Sequence, residues 1–336
     1  MVEVRSLDHD VGRGADEPRH NRFEKLFRRE NVLICILAIA FVMLSLSHAS
    51  FLTKGNLFAT GNGMAGIMIV TIGMTIALIS GGFDLSVGAV IAITSVVLMT
   101  LVQQLPPSVA VASALILGTI IGTINGVLIS VININPLIAT LGTAGMARGI
   151  AEVMSNGTIV SPAQELPDWL VYIGNGSLFG FPVLVLWALA LVVFFDLALR
   201  NTSFFRKVYF IGGSEKAAHF AGINVTRVKI LVYTLSGSLA GLAGVLLASR
   251  FGAGTATFGF GYELQAISAA VIGGVALTGG VGTVAGAFLA VLLLALVQDA
   301  IILFHVSVFW QNFIYGAILV IAVAITQIGG ARTKGA

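Results

Sequence analysis

The chain reads as an all-α membrane protein of about ten spanning helices, some of them broken at glycine-rich points. Three observations predict this. Hydrophobic residues fill 57% of 336 positions and charged residues only 10%, whereas a soluble domain carries about a quarter charged side chains. The charges are also segregated: residues 1–30 hold seven basic and seven acidic side chains, yet from Asn31 to Asp196 only Lys54, Asp84, Arg148, Glu152, Glu165, Asp168 and Asp196 are Asp, Glu, Lys or Arg. Finally, Lys and Arg gather in three short clusters, before residue 30, within 200–229 and at Arg332 and Lys334. Short loops rich in Lys and Arg stay in the cytoplasm, so the three clusters belong on one side, with an even number of crossings between them.

Residues 1–30 are polar and mixed in charge, and read as a disordered cytoplasmic tail. The apolar run that follows is long enough to span, which makes it an uncleaved anchor rather than a signal peptide. Its Cys35, the single cysteine, excludes an intramolecular disulfide and suits packing. A spanning helix needs about twenty apolar residues, and the candidates are roughly 31–50, 61–80, 85–104, 109–131, 136–154, 182–199, 229–249, 264–279, 283–304 and 308–327. Six crossings bring the chain back inside at Arg200, and four more bring it back inside at residues 329–336. The spanning unit is therefore 31–328, with a cytoplasmic loop at 200–229 and both termini cytoplasmic. The longest connection on the other side, Ser155–Phe181, holds Glu165, Pro167, Asp168 and Trp169. It suits a short amphipathic lid that receives a partner, or an interfacial connector anchored by Trp169.

Many of the 40 glycines fall inside these spans, where small residues let backbones approach. Gly118, Gly122 and Gly126 recur every four residues, as do Gly237 and Gly241, and Gly282 and Gly286. Packing inside one subunit is the simpler account, and a dimer contact the alternative.

Between the second and third spans the run Gly81-Gly82-Phe83-Asp84-Leu85-Ser86-Val87-Gly88 places an acid and a hydroxyl at a paired-glycine break. Asp84 can cap the next helix or serve a solute pathway. The same shape returns at Gly273-Gly274-Val275-Ala276-Leu277-Thr278-Gly279-Gly280. Such breaks free backbone groups that need protein or water as partner, which puts both in the bundle interior. Asn125, Asn133 and Asn135 are uncharged amides suited either to hydrogen-bonding a neutral solute or to capping helices and bonding neighbouring backbones. The candidate pathway or helix-break residues are thus Gly81, Gly82, Asp84, Ser86, Asn125, Gly273, Gly274 and Thr278.

The loop 200–229 carries Arg200, Arg206, Lys207, Lys216, Arg227 and Lys229 against Glu215 alone. Within it Ser214 can cap a short helix, Glu215 suits the positive end of its dipole, and Gly222 supplies a left-handed stop. The result is either an ordinary connector or a knob, with Ala217, Ala218, Phe220 and Ala221 offered to a groove on another protein.

The pattern Glu-x-Ala-Ala-x-x-x-Gly at Glu215–Gly222 resembles the coupling-helix signature of permeases in ATP-binding-cassette importers. The run from Gly212 to Gly237 resembles more specifically the ribose, xylose and arabinose-type sugar permeases, as does Gly81–Gly88, with Phe83 where an aliphatic residue is usual. Gln298, Asp299, Trp310 and Gln311 are similar to that family's polar and FWQ positions, although Asp299 replaces a commoner amide. Val281 stands where a basic residue is usual, and the bulky aliphatics near Val291 where a small one is. The resemblance covers roughly residues 60–325. It implies a permease dimer in a bacterial inner membrane, working with two cytoplasmic ATPases and an extracytoplasmic solute-binding protein, and Ser214, Glu215, Ala217, Ala218, Phe220 and Gly222 coupling the permease to its ATPase. Asp299 is expected near the outer end of its helix, snorkelling or capped.

Other chemistry lacks its residues. No phosphate-binding G-x-x-x-x-G-K-S/T occurs, so ATP hydrolysis belongs to a partner. Neither a His/Cys metal constellation nor a nucleophile with a base is present, and no cofactor is expected. The alternative class is an ion-coupled secondary transporter using Asp84, Arg148, Glu152 and Asp299.

Overall fold

The computed structural model describes residues 29–307, together with 310, 311, 313–318, 320, 321, 323 and 324. The acidic and basic tail up to residue 28, and Arg332 and Lys334 at the other end, lie outside the described residues, as does part of the span expected at 308–327. Twelve helices are fully described. They are α1 (Arg29–Ser47), α2 (Lys54–Ile79), α3 (Val87–Leu101), α4 (Pro107–Ser130), α5 (Pro136–Ser155) and α6 (Asp168–Asn175), then α7 (Val183–Asn201), α8 (Ser203–Gly213), α9 (Glu215–Phe220), α10 (Val225–Phe251), α11 (Tyr262–Ile272) and α12 (Val284–Leu303). A two-stranded hairpin, β1 (Ser177–Leu178) and β2 (Phe181–Pro182), precedes α7. Residues 313–318 are helical as well.

This is an all-α membrane protein. Six helices, α1, α2, α4, α7, α10 and α12, are long and apolar enough to cross a bilayer. Two expected spans are shorter. α3 and α11 are apolar but have 15 and 11 residues: α3 stops at Leu101, ahead of the polar Gln103 and Gln104, and α11 stops at Ile272, not at residue 279, as the chain turns at Gly273 and Gly274.

The order of burial follows from composition. α2 is buried at every position from Ala65 to Ile79, as expected for a helix apolar all round, and α10, α11, α12 and α7 pack about it. α1 is the least covered, with Ile39, Met43 and Leu46 exposed. Cys35 lies on this outward surface rather than in packing.

The tightest crossing joins α4 to α10. A Cβ at Gly118 would stand 2.8 Å from the Gly237 carbonyl oxygen and the Gly241 Cα, and one at Gly126 would stand 2.7 Å from the Ile230 Cα. The two four-residue glycine ladders therefore face each other inside one chain. Where backbones approach this closely, hydroxyls bridge: Thr119 to Ser238 and Thr123 to Thr234, both at 2.9 Å. Gly286 meets Gly273 in the same way.

Across the connection 155–181, Val160 pairs with Gly254 through two backbone bonds of 2.8 Å, and Asn175 Nδ2 donates to the Arg250 carbonyl at 2.8 Å. The expected short helix is α6, anchored on the end of α10, with Trp169 and Tyr172 exposed.

Gly118→Leu should force α4 off α10. Overpacking costs about 1–3 kcal/mol or more where no void exists, so the expected outcome is a lowered unfolding midpoint and poor recovery of monodisperse protein in detergent. Ser113→Ala, on the exposed side of α4, should leave both unchanged.

Candidate functional site

α2 ends at Ile79, and its last carbonyls are met by a turn: Gly81 N–H donates to Leu78 O at 2.9 Å and Gly82 N–H to Ala77 O at 3.0 Å. The turn needs a left-handed residue, and Gly81 has φ +84°. Gly82 lies against Tyr233 of α10, whose hydroxyl donates to Phe83 O at 3.2 Å. These contacts deliver Asp84 into the interior, where it is fully buried.

Asp84 there ends a chain of side chains drawn from separate helices. Its Oδ1 accepts from the Ser86 backbone N–H at 3.1 Å and from the Ser86 hydroxyl at 2.6 Å. Asn125 Nδ2 of α4 donates to Ser86 Oγ at 2.8 Å, and Thr143 Oγ1 of α5 donates to Asn125 Oδ1 at 2.7 Å. Thr143 also reaches its own helix at Thr140 O, 3.1 Å away. All four residues are buried. Asp84 Oδ2 and Ser236 Oγ of α10 are buried within reach of each other, and among the described residues neither has another hydrogen-bond partner. The capping alternative for Asp84 is thus met by one N–H only, and its second bond comes from the Ser86 hydroxyl.

The second break lies beside the first. Gly280 N–H donates to Ile79 O at 2.9 Å, so an orphan carbonyl of α2 is satisfied by a residue 201 positions away. A Cβ at Gly279 would stand 3.0 Å from the Gly81 Cα and 2.8 Å from the Gly212 carbonyl oxygen. Gly212, at the end of α8, is itself pressed against Ile79 and Gly280. Both breaks and the base of the loop 200–229 therefore meet at one backbone junction. Around it, Tyr209 of α8 donates to Gly282 O at 2.7 Å. Burial raises the Tyr209 phenol, with Asp196 adding to the effect and Arg200 opposing it, so the hydroxyl keeps its proton. Asp196 pairs with Arg200 at 2.8 Å and accepts from Ala285 N–H at 3.1 Å, which ties the start of α12 to the end of α7.

From this junction α9 stands out. Ser214 Oγ accepts from Ala217 N–H at 3.2 Å, Glu215 pairs with Lys229 of α10, and Gly222, at φ +76°, closes the helix. Phe220 is 89% exposed, which is unusual for so large an apolar side chain. Ala218 differs from expectation. It is fully buried in the main core cluster, because a six-residue helix lying on the bundle must turn one side inward, so of the four apolar residues offered only Ala217, Phe220 and Ala221 are exposed, alongside Lys216 and His219.

The family described as the permease component of branched-chain amino acid transport systems matches residues 56–323. The chain belongs to this permease family. The permease is 38% identical over 304 residues to the L-arabinose ABC transporter permease protein AraH of Azospirillum brasilense, covering 90% of this chain and 88% of that one. It is 34% identical over 306 residues to the ribose import permease protein RbsC of Escherichia coli, covering 90% and 95%. With the probable ABC transporter permease protein YphD of Escherichia coli it shares 39% identity over 293 residues, 87% of each chain. No solved structure matches. The permease is a transport subunit, not an enzyme.

Of the residues singled out in its sequence, Asp84, Ser86 and Asn125 form one network, Gly81 and Gly82 form a break that meets the second one at Gly279 and Gly280, and Gly273 packs instead against Gly286 and Ala287 of α12. Asn133 and Asn135 stay local: Asn133 adopts φ +62° and Asn135 caps α5 through Leu137 N–H at 2.9 Å. Asp299 does not snorkel; it is 3% exposed and accepts from Asn56 Nδ2 at 2.8 Å. Thr143, Ser236 and Tyr233 were invisible in the sequence, where each reads as a routine helix residue.

Asp84→Asn should preserve the fold, because an amide oxygen keeps both Ser86 bonds and the new NH2 faces the otherwise unbonded Ser236 Oγ. Uptake is expected to fall only modestly. Asp84→Leu should lower the unfolding midpoint, since stranding the buried Ser86 hydroxyl costs about 1–3 kcal/mol. Uptake abolished in a well-folded Asp84→Asn would move the charge itself into the transport mechanism.

Proposed function

We propose that the chain is the membrane-spanning subunit of an ATP-driven bacterial importer for a monosaccharide or a similar small polyhydroxylated solute, resident in the inner membrane. The L-arabinose and ribose permeases among its relatives supply the solute class. The observation that carries the mechanism is the backbone junction where Gly212, at the foot of the α9 knob, is wedged between the breaks at Gly81 and Gly279. In this reading the chain makes ten crossings, with both termini and the loop 200–229 in the cytoplasm. It acts as a dimer, homomeric or heteromeric, with two ATPase subunits below and a solute-binding protein above.

The mechanism follows from stiffness. Closure of the ATPase pair pushes on Phe220 and Ala217. Ser214, the Glu215–Lys229 pair and the core-facing Ala218 make α9 move with α8 and α10 instead of bending. Gly212 then presses on both breaks at once, and the bundle rocks between outward- and inward-open states around the Asp84–Ser86–Asn125–Thr143 network. Gly81, Gly82, Gly273, Gly274 and Thr278 supply the places where backbone can shift. An ion-coupled transporter needs no such knob, and permease family membership counts against it.

Two variants test the coupling role of Ser214, Glu215, Ala217, Phe220 and Gly222. Phe220→Ala removes an exposed ring and should cost the fold little. Gly222→Val opposes a positive φ, a local strain of about 1–3 kcal/mol, while its side chain meets no neighbour within 4 Å. Both proteins should insert and dimerise normally, and solute-stimulated ATPase activity and uptake should fall together when the partners are present. Normal transport by both would remove the coupling assignment. Ala218 is unsuitable as a probe, because a bulkier side chain there would disturb the core.

A further inference from the structure

Far along α2 from the glycine junction, its first turns and the last turns of α12 face each other across a small hollow. Asn56, Thr60 and Gly63 share one stripe of α2, and Ala295, Gln298 and Asp299 share the facing stripe of α12, each set at steps of three or four residues. The hollow exists because the residues at its base are small: a Cβ on Gly63 would meet nothing within 4 Å.

Its polar equipment is under-used. Asp299 is 3% exposed and forms no ion pair among the described residues. Its Oδ2 accepts from Asn56 Nδ2 at 2.8 Å, and that same amide donates to Phe51 O at 3.1 Å. Gln298 spends its Oε1 on the Tyr315 hydroxyl at 3.3 Å, and among the described residues neither its NH2 group nor the Thr60 hydroxyl makes a hydrogen bond. An ionisable side chain at membrane depth is costly and marks a site that uses it. Here it sits with an unspent donor amide, an unspent hydroxyl and the apolar side chain of Met64.

We propose that this hollow is a low-affinity subsite for a neutral polyhydroxylated solute, an inference that rests on the import reading above. Asp299 accepts hydrogen bonds from adjacent hydroxyls, the Gln298 amide donates to a third oxygen, Thr60 does either, and Met64 lies against the C–H face of the ring. A metal ion fits worse. One carboxylate that already accepts from an amide is a poor cage for a hard cation, and no group of three or more His, Cys, Asp or Glu suited to a metal occurs among the described residues. In the proposed orientation the subsite lies near the outer surface, where solute enters.

The test is saturation-transfer difference NMR on the full chain assembled with its ATPase in nanodiscs, with D-ribose, L-arabinose and D-xylose as probes at millimolar concentration. The wild type should transfer magnetisation to the ring protons of at least one. Asp299→Leu removes the charged acceptor, so binding should weaken by about tenfold or more. Gly63→Met fills the hollow while leaving every polar side chain of its lining unchanged and should do the same, which covers the case of an Asp299 variant that misfolds. No transfer in the wild type, or undiminished transfer in both folded variants, overturns the subsite. Uptake into proteoliposomes bearing the ATPase and the binding protein separates the two readings: uptake that persists while transfer ignores both variants sinks the subsite alone. Failure of the wild type to import any monosaccharide sinks the import reading and the subsite with it.

Discussion

Lipid offers helices no hydrophobic reason to associate, so a bundle in a bilayer holds together by how closely its backbones can approach and by how completely their polar groups are satisfied. Both demands are met here by glycine. Where α4 crosses α10, the absence of side chains at Gly118, Gly122 and Gly237 lets two backbones touch and brings the hydroxyls of Thr119, Thr123, Thr234 and Ser238 within bonding range. Where helices break, the same smallness lets a distant segment supply the missing donor, as Gly280 does for Ile79. Packing and polar satisfaction are one problem in this protein.

The second consequence is mechanical. A helix break is a weak point only if its freed groups find no partner. In this chain the two breaks complete each other, and the loop that bears the surface knob is inserted between them at Gly212. Rigid α8, tied to Gly282 by Tyr209, stands beside backbone with unusual dihedral freedom. In the coupling role proposed above, a stiff arm beside a pliant joint would turn a push at the surface into a rotation inside.

The helical, polytopic character of the fold was legible because hydropathy and charge segregation act over long windows, and most spans fell within a few residues of the helices found. Boundaries failed where chemistry was local: α11 ends at Ile272 because a glycine pair, not a loss of hydrophobicity, stops it. Ser214 and Gly222 were readable as a cap and a stop since each acts on its immediate neighbours. The burial of Ala218 was not, because which side of a six-residue helix turns inward depends on the body beneath it. For the same reason Asp84, Ser86 and Asn125 could be picked out singly, whereas their union through Thr143 could not. That union depends on α3, α4 and α5 packing together, and a threonine in an apolar helix bonds its own backbone as readily as a neighbour. The meeting of the two breaks was equally hidden, since nearly 200 residues separate them.

The buried network has a sense of direction. Thr143 gives its proton to Asn125, Asn125 gives one to Ser86, and Ser86 gives its own to Asp84; every link points the same way, toward a group that, ionised, can only receive. A row of hydroxyls could reverse end to end at little cost, but the amide of Asn125 has distinct giving and receiving ends. Aligned links also strengthen one another by polarisation. The consequence is that this part of the interior is single-valued. It keys α3, α4 and α5 to a single arrangement, which is either intact or broken as a whole.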